Sequence, residues 1–150
     1  QAQRVADDLV ERGFKASPLH GDMAQIARER ALTKFREDKL RALVATDVAA
    51  RGIDVAGVSH VINYNCPEDE KTYVHRIGRT GRAGASGTAV TFVDWPDLTR
   101  WKVINKALDL PFEEPQETYS TSDHLYHDLG IAPGTKGRIV PERPARSERT

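Results

Sequence analysis

Three arginines, Arg76, Arg79 and Arg82, stand three residues apart within His75-Arg76-Ile77-Gly78-Arg79-Thr80-Gly81-Arg82-Ala83-Gly84. Glycine costs about 1 kcal/mol in a helix interior. A helix running up to Ile77 is therefore expected to fray near Gly78, leaving Arg79 and Arg82 on irregular backbone that a ligand can approach closely. A guanidinium fork there suits bidentate contact with phosphate oxygens. Arginine and glycine alone also describe a solvated basic turn, so the stretch gains meaning only beside the rest of the chain. A collagen reading of the glycine period fails, because the run is short and contains no proline.

A second stretch is Ala45-Thr46-Asp47-Val48-Ala49-Ala50-Arg51-Gly52-Ile53-Asp54. Thr46 offers a hydroxyl and a backbone N–H at an expected strand end, which suits phosphate. Asp54 offers a carboxylate able to accept from ribose hydroxyls. The small Ala49, Ala50 and Gly52 permit close approach. Taken alone, the same residues equally describe a strand-to-helix turn capped by Asp47. A third stretch, His20-Gly21-Asp22 with Gln25 and Arg28, adds an amide and a guanidinium near a helix start.

Several elements must position these groups. Val5, Leu9 and Val10 recur at helical spacing before Gly13, a good stop. Phe14 to Leu19 reads as a strand. Asp22 is expected to cap a helix reaching about Glu37, with Gln25 at the capping-box position. Met23, Ile26, Ala27, Ala31, Leu32 and Phe35 form its apolar stripe, and Gln25 and Arg28 share a different face. Ala42 to Ala45 is short and apolar throughout, as in a strand buried on both faces. Val58 to Tyr64 and Thr88 to Val93 read as further strands. Between them a helix opens with Pro67 and carries Glu68, Asp69 and Glu70 in its first turn; another spans about Asp97 to Leu108. Strands alternating with helices predict an α/β fold with a parallel sheet flanked by helices. Sites in such sheets lie beyond the carboxyl ends of the strands, which is where all three stretches are expected to gather.

The formal net charge of the 150 residues is zero, but it is unevenly spread. Residues 1–108 carry a net +3, residues 109–128 a net −6 and residues 129–150 a net +3. Local fields, not the sum, decide whether a polyanion binds. Residues 1–108 are expected to form one domain. Residues 109–150, acidic and then rich in Pro, Gly and Arg, are expected to be a largely disordered tail, with a short helix around Asp123 to Leu129. His124 and His127 lack further ligands and read as solvated rather than metal-binding. The tail reads either as brushing nucleic acid or as solubilising. Cys66 is the sole cysteine, so neither a disulfide framework nor a cysteine-based zinc site is available. The absence of a long apolar run and of a signal-peptide pattern points to the cytoplasm and to no membrane partner.

Together the three stretches resemble motifs of the C-terminal RecA-like domain of DEAD-box ATP-dependent RNA helicases, over roughly residues 1–94. His20-Gly21-Asp22 with Gln25 and Arg28 is similar to motif IVa, Ala45 to Asp54 to motif V, and His75 to Arg82 to motif VI. Asn63-Tyr64 and Tyr73-Val74 add to the likeness, and the general style resembles bacterial RhlE-type members. The resemblance implies a RecA-like fold and a role for each residue. Arg79 and Arg82 would be arginine fingers reaching the γ-phosphate of ATP, and Asp54 would contact its ribose. Arg51 and His75 would couple two domains, while Gly21, Gln25, Arg28 and Thr46 would hold an RNA backbone without reading its sequence. In this family two domains close around ATP, bend one RNA strand and pry short duplexes apart.

No G-x-x-x-x-G-K-[ST] loop and no Asp-Glu-Ala-Asp stretch occurs. Those belong to the family's N-terminal RecA-like domain, which would also hold Mg2+ with the ATP. The chain, opening at Gln1 on what reads as mid-domain helix, is expected to be an N-terminally truncated piece that lacks the first strand, is inactive by itself and is marginally stable. Two other readings compete, a superfamily-2 DNA helicase and a non-catalytic RNA-binding adaptor. The paired Arg79 and Arg82 weigh against the adaptor, since gripping RNA alone does not require them.

Overall fold

The computed structural model describes residues 1–51, 55–81 and 84–141. The chain divides into two compact units, Gln1–Ile53 with Tyr126–Thr150, and Asp54–Leu125.

The first unit opens with helix α1 (Ala2–Glu11), which buries Ala6. Gly13 follows it at φ +95°, a left-handed conformation that terminates the helix as its sequence position suggested. Strand β1 (Ala16–Leu19), helix α2 (Gln25–Arg36), strand β2 (Ala42–Ala45) and the short helix α3 (Asp47–Ala50) come next. β1 and β2 pair in parallel, Ala16 with Ala42 through to Leu19 with Ala45. The buried residues are small apart from Leu19: Ala6, Ala31 and Ala49 let α1, α2 and α3 lie close to the strands. Helix α2 departs from expectation at its start. It begins at Gln25 behind Ala24, with no side-chain cap, so Asp22 is not the cap and no capping box forms. Its inner face is Ala31, flanked by the half-buried Arg28, Leu32 and Phe35. Ile26, expected in the apolar stripe, is 64% exposed because it lies on the opposite side of the helix.

The second unit contains strand β3 (His60–Asn63), helix α4 (Glu70–Ile77), strand β4 (Thr88–Thr91) and helix α5 (Leu98–Ala107). β3 and β4 pair in parallel, from His60 with Thr88 to Asn63 with Thr91. The Asp69 carboxylate caps α4 by accepting from the Thr72 N–H at 2.8 Å, so the helix starts after Pro67 and Glu68 rather than at them. A 3-10 turn, Trp95–Asp97, leads into α5 behind the cap Asp94. The core is Cys66, Tyr73, Trp101 and Ile104, with Tyr73 and Trp101 edge to face at 5.7 Å.

The chain after α5 is more structured than its composition suggests. Trp101 Nε1 donates to the Phe112 carbonyl at 2.7 Å, and the Phe112 N–H donates to Asn105 Oδ1 at 3.0 Å. Two buried polar groups of α5 thus need this segment as their partner, which folds it back along the helix. Helix α6 (Asp123–Leu129) forms where expected. In the first unit the N–H groups of Ile139 and Val140 both donate to the Arg12 carbonyl, at 2.7 and 3.2 Å. The described strands therefore pair in parallel, β1 with β2 and β3 with β4, accompanied by helices as the alternation required, and their hydrogen bonding runs as two pairs rather than one continuous ladder.

Candidate functional site

In the first unit the carboxyl ends of β1 and β2 are tied together, since the Thr46 N–H donates to the Leu19 carbonyl at 3.1 Å. That bond sets Thr46 beside the His20-Gly21-Asp22 turn. Thr46 Oγ1 accepts from the Ala49 N–H at 3.3 Å, making Thr46, not Asp47, the cap of α3. Its hydroxyl proton remains available to donate, whereas its backbone N–H is already used. Gly21 is exposed, and a Cβ built on it would meet nothing within 4 Å. A polyanion can come directly onto that backbone.

The uncapped start of α2 follows. The first N–H groups of a helix have no internal partner and carry the positive end of its dipole, so an anion suits this end. Gln25 is exposed, its amide donating to Glu29 Oε1 at 3.3 Å. Arg28 is half-buried one turn along, and its guanidinium has no hydrogen-bond or ion-pair partner among the described residues. Arg51, exposed, directly follows α3. The structure thus brings Gly21, Gln25, Arg28 and Thr46 to one edge of one unit.

The second unit holds His75 and Arg79. His75 is exposed and Arg79 half-buried. Arg76 is turned inward: its NH1 donates to the Asn65 carbonyl at 2.8 Å and to Asn63 Oδ1 at 3.4 Å. The Asn63 amide in turn donates to Thr91 Oγ1 at 3.0 Å. The Arg76 side chain is thereby tied to the strand ends. Asn63 is 2% exposed, and its place in this network was missed at the sequence level. The available signal was an asparagine at the end of the strand, a residue type depleted in strands.

The loop after α4 corrects the expectation that all three stretches gather at carboxyl ends. The Val58 N–H donates to the Arg79 carbonyl at 3.2 Å, and the Thr80 hydroxyl donates to the carbonyls of Val58 and Ser59. Arg79 and Thr80 therefore sit at the amino ends of β3 and β4. The reason is geometric: a crossover helix runs antiparallel to the strand before it, so its far end returns to where that strand began. Gly87, just before β4, makes room for the loop, since a Cβ there would lie 1.9 Å from Thr80 Oγ1. Asp54 and Arg82 lie outside the described residues.

Electrostatic shifts in this unit are structural. Burial pushes the Cys66 thiol up, against the opposing pull of Arg100. The Thr72 N–H holds the Asp69 carboxyl below its ordinary range. Among the described residues no helix is long and apolar enough to cross a membrane.

The order of the three stretches on a parallel α/β framework invites comparison with known proteins. Residues 1–84 match the model of the helicase conserved C-terminal domain. The chain belongs to that family. Among curated proteins, this helicase domain is 51% identical over 116 residues to the ATP-dependent rRNA helicase rrp3 of Sclerotinia sclerotiorum. The match covers 77% of this chain and 24% of rrp3, so the domain spans about a quarter of that relative's length. The solved E. coli DEAD-box protein SrmB, bound to regulator of ribonuclease activity A, superposes with a TM-score of 0.69 at 42% identity, covering 73% of this chain and 65% of that one. A variant of S. cerevisiae Dbp5 bound to RNA and ADP BeF3 gives a TM-score of 0.70 at 35% identity, covering 87% of this chain and 34% of that one. The domain thus groups with the C-terminal RecA-like domains of DEAD-box proteins. Fungal and bacterial members match alike, which establishes the family and not the RhlE-type branch.

Proposed function

We propose that this domain is the C-terminal half of an ATP-dependent RNA helicase that grips the RNA backbone and unwinds short duplexes. The observation that supports it best is the convergence of the exposed Gly21 backbone, the uncapped α2 start, the unpartnered Arg28 and the Thr46 hydroxyl at one edge of the first unit. These are donors to phosphate rather than readers of bases, so binding is sequence-independent. Dbp5, a similar protein, is solved with RNA and ADP BeF3.

Catalysis in this reading needs an N-terminal RecA-like domain of the same protein, which carries the ATP and its Mg2+. Arg79 and Arg82 act as arginine fingers on the γ-phosphate, an effect of about 10³–10⁵ in rate in comparable phosphoryl transfer. Asp54 accepts from the ribose, and Arg51 and His75 couple the two domains. The chain alone binds RNA but does not turn over ATP, and the protein works in the cytoplasm. In this reading residues 1–108 are the helicase domain and residues 109–150 its C-terminal extension.

The test is RNA affinity as a function of salt. Arg28→Ala is expected to weaken binding of single-stranded RNA and to flatten the log–log salt dependence by about one unit of slope. An unchanged slope would remove Arg28 from the phosphate contacts.

A further inference from the structure

His20 belongs to the motif but has no role in the account above. Its surroundings assign one. The Asp22 N–H donates to His20 Nδ1 at 3.2 Å, so Nδ1 carries no proton and the ring's proton sits on Nε2. Nε2 lies 2.8 Å from Gln3 Oε1, to which it donates. The orientation of the Gln3 amide is set in turn, because its Nε2 donates to Asp7 Oδ1 at 3.0 Å. Every donor and acceptor in the series Asp22, His20, Gln3, Asp7 is therefore determined, and the series ends on a carboxylate of α1. The consequence for the turn is direct. The Asp22 N–H is held back toward His20 while the Met23 N–H closes the turn on the His20 carbonyl at 3.3 Å. With the Asp22 backbone engaged behind it, the exposed Gly21 is presented outward and α2 starts at Gln25 with its first N–H groups uncovered.

We propose that His20, as its Nε2–H tautomer tied to α1 through Gln3, is a positioning residue that holds Gly21 and the start of α2 in the geometry that receives an RNA phosphate. This rests on the RNA-backbone reading above and assigns that site a further residue. The hydrogen bond to Asp22 has to be made by an acceptor at the Nδ1 position; asparagine can supply one through Oδ1, and alanine cannot.

Two measurements on the 150-residue chain test it. In ¹⁵N spectra the His20 ring should show an unprotonated Nδ1 and a protonated Nε2; a protonated Nδ1 would overturn the relay. Binding of a fluorescein-labelled oligouridylate should weaken about fivefold in His20→Ala, the size of one hydrogen bond. His20→Asn should recover most of that loss. An alanine variant that binds as wild type would overturn the positioning role alone. An asparagine variant as weak as alanine would overturn the acceptor argument. A wild-type chain with no RNA affinity would overturn the RNA reading, and the positioning role with it.

Discussion

The backbone N–H of Val58 donates to the carbonyl of Arg79 at 3.2 Å. This one bond seats the arginine loop at the amino end of β3. The Thr80 hydroxyl reinforces it on Val58 and Ser59. The irregular backbone that carries Arg79 is therefore located by strand-entry contacts, not left to solvent as the glycines alone would suggest.

Gly87 is what lets that loop come so close. A Cβ at this position would lie 1.9 Å from Thr80 Oγ1 and 2.7 Å from the Gly81 nitrogen. Gly87→Ala must displace the loop and is expected to cost about 1–3 kcal/mol in a denaturant titration. Gly21→Ala meets open space and should leave stability within about 0.5 kcal/mol of wild type. Equal stability of the two variants would mean the loop is not seated as described.

Arg76 anchors α4 through Asn63 and Asn65. Removing its guanidinium leaves Asn63 Oδ1 buried with its donor gone. Arg76→Ala is expected to destabilise the chain by about 1–3 kcal/mol. The Arg28 guanidinium has no partner among the described residues, so Arg28→Ala should cost distinctly less. Thermal unfolding of the two variants checks the order, and a reversed order would contradict the assignment.

Asp69 predicts a pH dependence. Its carboxyl is held below the ordinary range by the Thr72 N–H, with Lys71 adding a smaller pull in the same direction. A folded-state value below the unfolded one contributes stability that is fully present above the unfolded value of about 3.9 and is lost as pH falls through the folded value. The difference in melting temperature between wild type and Asp69→Ala should therefore be constant from neutral pH down to about pH 5 and shrink below about pH 4. A difference independent of pH would remove the charged cap from the account.

Much of the architecture could be read from the chain before any coordinates. The alternation of short apolar runs with helical patterns led to parallel strands, and Gly13 marked a real boundary. Thr46 could be placed at a strand end because Ala42 to Ala45 is apolar without a break. What escaped was decided by contacts distant in sequence. Asp22 has the right type and spacing for a cap, but His20 captures its backbone and the helix starts later. Ile26 looked like core because a helix pattern shifted by two residues still contains it. The seat of Arg79 was misplaced because nothing local says to which end of β3 the loop returns; the length and direction of α4 decide that. The fold-back of Leu110 and Phe112 was hidden in an acidic, proline-containing segment, and only the unmet needs of Trp101 Nε1 and Asn105 reveal it.

Steady-state ATP turnover decides whether this domain supplies an arginine finger to an RNA-dependent ATPase. The assay uses the protein that joins this chain to its N-terminal RecA-like domain, with and without single-stranded RNA, as wild type and as Arg79→Ala. Turnover is expected to be stimulated by RNA in the wild type and to fall about a thousandfold in Arg79→Ala with ATP and RNA binding retained. Turnover undiminished by Arg79→Ala, or no RNA-stimulated turnover in the wild type, would contradict this reading.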